Sequence, residues 1–417
     1  MTLLNGIRVV EMGIWVAGPA AGGILADWGA EVIKVEPPAG DPMRRLYSAL
    51  SDSKEPRCPP FDLFNRGKRS LAVDVNDDAG REVLEELLES ADVFLTNMRP
   101  AFLERIGMDH TSVAERHPRL VYGSLTAFGL NGPDRDAPGF DVGAFSARSG
   151  LVDRAKPVGD PPPNLPGGMG DNITGITLVA AVLAGLLHRE RTGEGQLVAT
   201  SLLRTGVYCI GMDLAARLDL SRLAPPPSRL SPQNPLMNSY AAGDGRWFWL
   251  LGAESARHWP ALLDAIGELS LAEDDRFATP RDRRRNAVAL VSHLDEVFAG
   301  QDRAEWAHAF DRAGVWWTPV NTVEDLLVDE QVISAGAFTQ VTDRARFHEA
   351  DAPPRRAVAT PVDFGVEPHG PRPGPAAVGE DSAAILEELG FPAADVQRMV
   401  DEGVLTLAQV DRGDVAE

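Results

Sequence analysis

Short apolar runs alternate with amphipathic stretches through the first half of this chain. Each run is rich in Val, Ile and Leu, which is typical of buried strands. The runs that predict strands are 7–12, 29–36, 68–75, 91–97, 120–125 and, more briefly, 197–200. Apolar positions recur with helical spacing at 19–28, which begins with Pro, and at 79–90. Strand–helix alternation over this length predicts an α/β fold with a doubly wound parallel sheet.

The segment 167–175, Gly-Gly-Met-Gly-Asp-Asn-Ile-Thr-Gly, joins a glycine-rich loop to a long apolar run. The run predicts a helix that is apolar almost all round and therefore buried. Its large apolar positions are Ile173, Ile176, Leu178, Val179, Val182, Leu183, Leu186 and Leu187. The run is shorter than the about 20 apolar residues that a bilayer span needs, so we expect no membrane insertion.

Asp171 lies where this loop meets the start of the predicted helix. An Asp at such a place is most often an N-cap, which accepts a hydrogen bond from the first turn. Alternatively, the preceding glycines let a ligand approach closely, and the helix dipole keeps the carboxylate ionised at neutral pH. A fixed, ionised carboxylate can act as a nucleophile. The residues alone leave both interpretations open.

The second half of the chain, after a Pro-rich break at 224–228, predicts a smaller α/β region. Asp244-Gly245 separates two apolar runs within 239–251, which is a hairpin signal. We expect Trp247 and Trp249 to pack in the core of this region rather than to form a stacking surface. Helices are predicted at 256–266, 284–299, 302–313 and 323–328, a strand at 314–320, an extended Pro-rich segment at 351–375, and terminal helices at 382–389 and 393–401.

Composition narrows the function. A chain of 417 residues with 44% hydrophobic residues is long enough for two or more domains. The net charge of −21 argues against general nucleic-acid binding, which requires a basic face. The eight His show no HxxxH or HExxH spacing, so we expect no metal site. Two Cys, Cys58 and Cys209, and no signal-peptide pattern suggest a cytoplasmic protein.

The first strand–helix–strand unit raises the possibility of a dinucleotide-dependent reductase, because Glu36 ends the second strand. The loop 13–18 nevertheless lacks the GxGxxG spacing that brings a helix N-terminus to a pyrophosphate. The sequence therefore gives only a weak dinucleotide signal.

Several motifs in order resemble those of the class III CoA-transferases, the family that includes formyl-CoA and carnitine CoA-transferases. They are Glu11-Met12 to Ala17-Gly18-Pro19, Gly29 to Glu36, Asn65 to Ser70, Ala91-Asp92-Val93 with Asn97, Gly167 to Gly175, and Arg191 to Gln196. The resemblance implies a Rossmann-like large domain with a parallel sheet, a smaller α/β domain, and two subunits interlocked as a homodimer. We expect the large CoA-binding domain at 1–205, a linker at 206–235, the small domain at 236–325, and a return linker and C-terminal segment at 326–417.

By the same resemblance, Asp171 is the catalytic nucleophile of an acyl-CoA:carboxylate CoA-transferase. The family's reaction passes through an aspartyl anhydride and an aspartyl-CoA thioester, so its substrates are an acyl-CoA and a carboxylic acid, with no permanently bound cofactor. The positions that the resemblance assigns to CoA binding are Val16, Ala17, Val73, Asn97, Met98, Arg105, Phe140 and Asp141. Backbone N–H groups at the helix start, including that of Asn172 or Ile173, are candidates for stabilising oxyanions.

Two departures from formyl-CoA transferases argue against formate or oxalate as substrates. Those enzymes carry a basic CoA contact where this chain has Pro37, so Arg44 or Arg45 is a candidate replacement. Their glycine-run loop over the site is also not evident, and 242–245 is the nearest match.

Two further functions stay open. The related α-methylacyl-CoA racemases need a second base facing the aspartate and carry a His-Asp pair upstream. This chain has Phe140-Asp141 there, and 171 − 140 = 31 positions separate Phe140 from Asp171. A phenyl ring cannot accept a proton, which disfavours racemase activity. A non-catalytic CoA-binding protein is the remaining alternative.

Overall fold

The computed structural model describes residues 3–46, 58–226, 228–344, 353–365 and 372–408. These residues form two compact units. The larger unit draws on the ranges Met1–Leu151, Asn164–Leu214 and Gly336–Glu417, and the smaller on Val152–Pro163 and Ala215–Ala335.

Strands are short and mostly coincide with the apolar runs of the sequence. In chain order they are β1 (Arg8–Met12), β2 (Glu31–Glu36), β3 (Arg69–Val73), β4 (Val93–Thr96), β5 (Val121–Thr126), β6 (Leu197–Ser201), β7 (Ser239–Ala241), β8 (Trp247–Leu250), β9 (Trp317–Pro319), β10 (Phe338–Thr342), β11 (Arg355–Val358), β12 (Arg372–Pro373) and β13 (Leu405–Thr406).

Helices connect these strands and add several short elements that the sequence patterns did not indicate. They are α1 (Ala17–Asp27), α2 (Pro59–Asn65), α3 (Asp78–Glu89), α4 (Pro100–Arg105), α5 (His110–Arg116), α6 (Leu151–Arg154), α7 (Met169–Thr192), α8 (Leu202–Cys209), α9 (Gly211–Leu220), α10 (Ser255–Ile266), α11 (Pro280–Arg285), α12 (Ala287–Phe298), α13 (Arg303–Ala313), α14 (Val323–Leu326), α15 (Glu330–Ser334), α16 (Ser382–Glu388) and α17 (Ala393–Asp401). A π-helix covers Val142–Ala147, and 3₁₀ turns cover Pro42–Arg45 and Leu269–Ala272.

The central sheet of the larger unit has the strand order β13-β3-β2-β1-β4-β5-β6. Neighbours from β3 to β6 pair in parallel, which confirms the predicted α/β fold with a parallel-dominated sheet. The edge strand β13 pairs antiparallel with β3, so the sheet is mixed at that edge. The strand order reverses direction at β1, between β2 and β4, where α/β sheets place ligands beyond the carboxyl ends of the strands.

Both faces of this sheet are covered, because alternate residues of each central strand enter different cores. Val9 and Val93 pack with α1 and α7 on one face, whereas Val10 and Phe94 pack with α3 and the C-terminal helices on the other. Burial on both faces explains why these strands read as continuous apolar runs rather than as alternating ones.

Helix α7 has 24 residues and is longer than the apolar run that predicted it. By length and composition alone it could cross a membrane, so the expectation that it is too short is wrong. One such helix is weak evidence for a membrane span, because the core helix of a globular domain has the same character. Leu178, Val179 and Val182 of α7 pack in the core between α1 and β5.

In the smaller unit, β7, β8 and β9 form an antiparallel sheet, with the predicted Asp244-Gly245 turn between β7 and β8. Phe248 and Leu250 of β8 are buried, whereas Trp247 and Trp249 are 41% and 40% exposed. The prediction that both Trp residues are core is wrong, because the two-residue period of a strand places them on the opposite face from Phe248.

Several other boundaries differ from those predicted. Residues 284–299 form two helices, α11 and α12, that meet at Asn286. The segment 351–375 contributes β11 and β12, which flank β10 in a third sheet, while 351–352 and 366–371 lie outside the described residues.

Candidate active site

The first turn of α7 is capped from outside the helix. Its N-cap is Gly168, which has a positive φ of 76° and no side chain to donate or accept. The backbone N–H of Gly170 instead donates to Asp141 Oδ2 at 3.1 Å. Asp171 lies in the first turn, so its interpretation as the N-cap is wrong. Asp141, at the start of the π-helix, fills the capping role.

Gly170 is required by the packing at this point. A Cβ at this position would lie 2.2 Å from the ring of Phe145 and 2.5 Å from Asp141 Oδ1. Only glycine therefore lets the helix start approach the π-helix closely enough for the capping hydrogen bond.

Asp171 is half-buried, and no hydrogen-bond donor in the described part of the chain contacts its carboxylate. Burial, and then the negative charge of Asp141, raises the pKa of Asp171 to about 7. The expectation that the helix dipole keeps this group fully ionised at neutral pH is wrong, because the loss of solvation and the like charge outweigh the dipole. Burial also raises the pKa of Asp141. Two adjacent carboxyl groups thus share this end of the helix.

The loop between β1 and α1 forms the wall of the site that lies opposite the start of α7. The N–H of Ile14 donates to Asn97 Oδ1 at 3.0 Å, and Asn97 Nδ2 donates to the carbonyl of Ile14 at 2.8 Å. Trp15 has a left-handed φ of 65°, which is uncommon for a bulky residue. Its N–H donates to Asp41 Oδ1 at 3.1 Å. Asn97, directly after β4, and Asp41, in the segment after β2, therefore hold two consecutive residues of this loop.

A buried network of ion pairs holds the loop between β1 and α1 in place. Lys34 Nζ lies 3.1 Å from Glu11 Oε1, 2.9 Å from Asp41 Oδ2 and 2.8 Å from the carbonyl of Gly13. Lys68 Nζ lies 2.5 Å from the second oxygen of Glu11. All four side chains are almost fully buried. Burial lowers the pKa of Lys68 to about 8, whereas the pairing with both lysines leaves the pKa of Glu11 below its usual value in spite of burial.

The same network accounts for Glu36, on which the dinucleotide interpretation rested. Its carboxylate accepts hydrogen bonds from Arg44, Ser70 and the backbone N–H of Asp41. Glu36 is 1% exposed and cannot reach a ribose. Arg44 is bound to Glu36 and to the carbonyl of Ala376, and its role as a replacement for the basic CoA contact missing at Pro37 stays a prediction, as does that of Arg45.

Two cavities meet at Asp171, and both are built from residues of the larger unit. We call the first the strand-end cavity; it has a volume of about 440 Å³ and lies at the carboxyl ends of β1, β4 and β5. We call the second the apolar cavity; it has a volume of about 680 Å³ and is lined mainly by α2, β11 and the loop before α1. Trp15, Val16, Phe140 and Asp171 line both.

Most of the predicted CoA-binding residues come together in the strand-end cavity. Val16, Ala17, Asn97, Met98 and Phe140 line it with Asp171. Asp141 is adjacent through its contact with Gly170.

Val73 and Arg105 do not line either cavity. Val73 is buried in the core beside β13, and Arg105 is exposed, with its guanidinium on Asn76 and over the ring of Phe102. Their assignment to CoA binding stays a prediction.

Arg99 is a basic residue of the strand-end cavity that the sequence analysis did not identify. It is exposed at the start of α4, and within the described residues its guanidinium has no hydrogen bond or ion pair. Its place directly after Asn97 and Met98, at the end of β4, was the available signal, since polar residues at strand ends line ligand sites.

One of the predicted oxyanion donors already makes a hydrogen bond within the protein. The N–H of Asn172 donates to the carbonyl of Gly168 at 2.9 Å and is not free. Helix α1, in contrast, has no side-chain N-cap, and within the described residues no acceptor contacts the N–H groups of Ala17 and Gly18. Ala17 lines the strand-end cavity, and Gly18 follows it in the first turn of α1.

Comparisons with known proteins agree with one another. The sequence profile of CoA-transferase family III matches residues 4–382. The chain is 31% identical over 408 residues to the (R)-2-hydroxy-4-methylpentanoate CoA-transferase of Clostridioides difficile, covering 97% of this chain and 99% of that protein. It is 30% identical over 405 residues to the cinnamoyl-CoA:phenyllactate CoA-transferase of Clostridium sporogenes, covering 95% and 96%. A crystal structure of a CaiB/BaiF family protein from Brucella suis, 29% identical, superposes with a TM-score of 0.81 over 93% of this chain and 99% of that one.

Proposed function

Since this chain belongs to CoA-transferase family III and is a transferase, we propose that it moves CoA between an acyl-CoA and a free carboxylic acid through covalent catalysis on Asp171. The observation that carries the proposal is the position of Asp171. Its carboxylate lies where two cavities meet, and no donor among the described residues blocks it from an incoming thioester.

The first half-reaction forms and then breaks a mixed anhydride. An oxygen of the ionised Asp171 attacks the thioester carbonyl carbon, the C–S bond breaks, and CoA leaves as the thiolate. The thiolate then attacks the side-chain carbonyl carbon of Asp171. The donor acid leaves as a carboxylate that carries one oxygen from Asp171, and the side chain becomes an aspartyl-CoA thioester.

The second half-reaction runs the same steps in reverse with the acceptor acid. Its carboxylate attacks the aspartyl-CoA carbonyl carbon and expels the thiolate, which forms a second anhydride. The thiolate attacks the acceptor carbonyl carbon, and Asp171 returns to a carboxylate that carries one oxygen from the acceptor. The four steps need no net proton transfer, and no His is among the described residues that line the two cavities.

Each attack forms a tetrahedral oxyanion, for which we propose the N–H groups of Ala17 and Gly18 as donors. They meet no acceptor in the described structure, and they lie at the positive end of the α1 dipole. Removing one such donor in other enzymes lowers kcat by about 10²–10³-fold.

For CoA itself, we propose that the strand-end cavity takes the pantetheine arm and that Arg99 contacts a phosphate. The guanidinium of Arg99 has no ion-pair partner in the described residues, and an exposed Arg binds phosphate with charge-assisted hydrogen bonds. Arg105, whose Nη2 already donates to Asn76 Oδ1, is the second candidate for a phosphate contact. The names of the two curated relatives, both acyl-CoA:acid transferases, support this class of reaction.

The Asp171→Asn variant tests the proposal. Asn keeps the shape and, because Asp141 provides the cap, leaves the helix start unchanged, but a neutral amide cannot form the anhydride. We expect a folded protein that still binds CoA in calorimetry and transfers no CoA to any of a panel of carboxylic acids. Asp401→Asn, at an exposed helix end, is the matched control and should keep full activity.

A deuterium-exchange measurement separates CoA transfer from racemisation. Phe140 supplies no base, and Asp141 accepts a hydrogen bond from Gly170. We therefore expect no incorporation of deuterium from D₂O at the α-carbon of a 2-methylacyl-CoA. Exchange at the rate of turnover, or transfer activity in a purified Asp171→Asn protein whose mass excludes deamidation, would overturn the proposal.

A further inference from the structure

The apolar cavity has walls that differ in chemistry from those of the strand-end cavity. Many of its side chains are large and apolar, and they come from five separated stretches of the chain. Those that face the space are Trp15, Met43, Leu63, Phe64, Phe140 and Val358. Trp15 and Phe140 pack edge to face with ring centroids 6.2 Å apart, directly beside the carboxylate that both cavities share.

The polar groups of the apolar cavity are largely occupied. Arg66 holds Asp27 through Nε at 3.0 and 3.1 Å and through Nη2 at 2.5 Å. Arg355 Nη2 pairs with Asp62 Oδ2 at 2.5 Å. These guanidinium groups therefore bring their own counter-charges with them.

Arg356 lies with its guanidinium carbon 3.6 Å from the centre of the Phe338 ring. The carboxylate of Asp62 also belongs to the wall and repels a second carboxylate. A ligand that carries a distal carboxylate would lose its hydration in this cavity, and it would have to compete with Asp27 for Arg66 and with Asp62 for Arg355.

From these walls we propose that the acyl group carried by this enzyme is bulky and apolar, of the aryl-alkanoic or branched alkanoic class, and that it occupies the apolar cavity. This inference rests on the proposed function, because it uses Asp171 as the point of attachment. With CoA in the strand-end cavity and the reacting carbonyl at Asp171, the acyl chain extends into the second cavity. A volume of about 680 Å³ is ample for such a group and far larger than acetyl needs.

Both half-reactions use the same cavity, so the donor and the acceptor acids should share this chemistry. The anhydrides of the two half-reactions place the donor and the acceptor acyl groups on the same side-chain carboxyl group of Asp171, one after the other. The enzyme is therefore expected to exchange CoA among apolar acids and to discriminate against dicarboxylic ones.

The test compares initial rates with 3-phenylpropanoyl-CoA, 4-methylpentanoyl-CoA, acetyl-CoA and succinyl-CoA, each with 3-phenylpropanoate or succinate as the acceptor. We expect kcat/KM for the phenylpropanoyl and methylpentanoyl donors to exceed that for succinyl-CoA by about 100-fold or more, because a buried unpaired carboxylate is strongly disfavoured. Trapping with hydroxylamine, followed by peptide mass spectrometry at Asp171, is run for every donor.

A variant pair locates the selectivity in the cavity. Val358→Lys places an ammonium group in the apolar wall, whereas Gln340→Lys places the same charge on the neighbouring strand at an exposed residue that does not line the cavity. We expect Val358→Lys to move the ratio of phenylpropanoyl to succinyl kcat/KM toward succinyl by about 10-fold or more, and Gln340→Lys to leave it unchanged.

These experiments distinguish a failure of the apolar assignment from a failure of the proposed function. Covalent Asp171 adducts from all donors together with a preference for succinyl-CoA, or an equal shift of the ratio in both Lys variants, would overturn the apolar assignment and leave the proposed function in place. No adduct and no transfer with any donor would overturn the proposed function, and the apolar assignment with it.

Discussion

Asp171 is the residue that we propose as the nucleophile, and burial together with the charge of Asp141 raises its pKa. The sequence correctly indicated its place at the junction of a glycine loop and a core helix. The family resemblance placed Asp141 among the CoA-binding residues, but no local pattern showed that it caps α7, because contacts between residues 29 positions apart depend on how the π-helix packs against α7. Hence the predicted cap and the predicted ionisation were both wrong, whereas the residue itself remains the nucleophile that we propose.

The pH dependence of the reaction is expected to report this pair. Asp171 must be ionised to attack, so kcat/KM should rise with pH and level off above about 7. Asp141→Asn removes the negative charge but keeps an oxygen for the N–H of Gly170, so the midpoint should move to lower pH while kcat at high pH changes little. A midpoint that does not move in Asp141→Asn would show that the two carboxyl groups are not coupled.

The raised pKa also predicts a stability effect. The folded state holds the proton of Asp171 more tightly than the unfolded chain, in which the pKa is about 3.9. This contribution to stability is therefore fully present below about pH 4 and is lost as the pH rises through about 7. Asp171→Asn, which cannot ionise, should be more stable than the wild type at pH 8 by about 1–4 kcal/mol, with a difference that shrinks toward pH 4. Urea denaturation at both pH values measures this, and a destabilised Asn variant at pH 8 would contradict it.

At the scale of elements, the strands of the central sheet were predictable because burial on both faces makes each of them a continuous apolar run. The third sheet was not, since β10, β11 and β12 are short and rich in Arg, Thr and Pro. Its contacts reach far along the chain: Arg355 meets Asp62 across 293 positions, and no local pattern encodes such a pairing. The wall of the apolar cavity therefore became visible only in three dimensions.

The start of α7 is predicted to be intolerant of a single methyl group. Gly170→Ala would place a Cβ within 2.2 Å of Phe145, which forces the helix away from the π-helix and breaks the cap by Asp141. We expect a loss of about 1–3 kcal/mol in the free energy of unfolding, together with a fall in kcat. Gly167→Ala, three residues earlier, meets no atom within 4 Å and should leave the free energy of unfolding unchanged.

The ionic network beneath the β1–α1 loop predicts another loss. Asp41→Ala removes a partner of buried Lys34 and the acceptor for the N–H of Trp15, so we expect a destabilisation of about 3–5 kcal/mol. Asp395→Asn removes an exposed pair with Arg398 and should change stability by less than about 1 kcal/mol. Similar losses in the two variants, measured by urea denaturation, would show that the network is not a buried electrostatic unit.

At the scale of the whole molecule, the family resemblance predicts an interlocked homodimer, and the division of the chain into domains likewise stays a prediction. Interlocked subunits cannot separate without unfolding. Sedimentation velocity should therefore give one dimeric species over a 1,000-fold dilution, followed for about a day. A folded monomer that appears on dilution would contradict the interlocking.

The path of oxygen atoms through the reaction shows whether the carboxylate of Asp171 forms the anhydride. The mechanism transfers one oxygen from the acceptor acid to Asp171 in each turnover, and from Asp171 to the released donor acid in the next. We therefore predict that a carboxylate acceptor labelled with ¹⁸O at both oxygens adds about 2 Da to the peptide that contains Asp171 after one turnover, and up to about 4 Da after many turnovers, as either oxygen of Asp171 can attack. The donor acid released in later turnovers should then carry one ¹⁸O. An unlabelled Asp171 peptide after many turnovers, with product formed, would show that the carboxylate does not form the anhydride and would contradict the account.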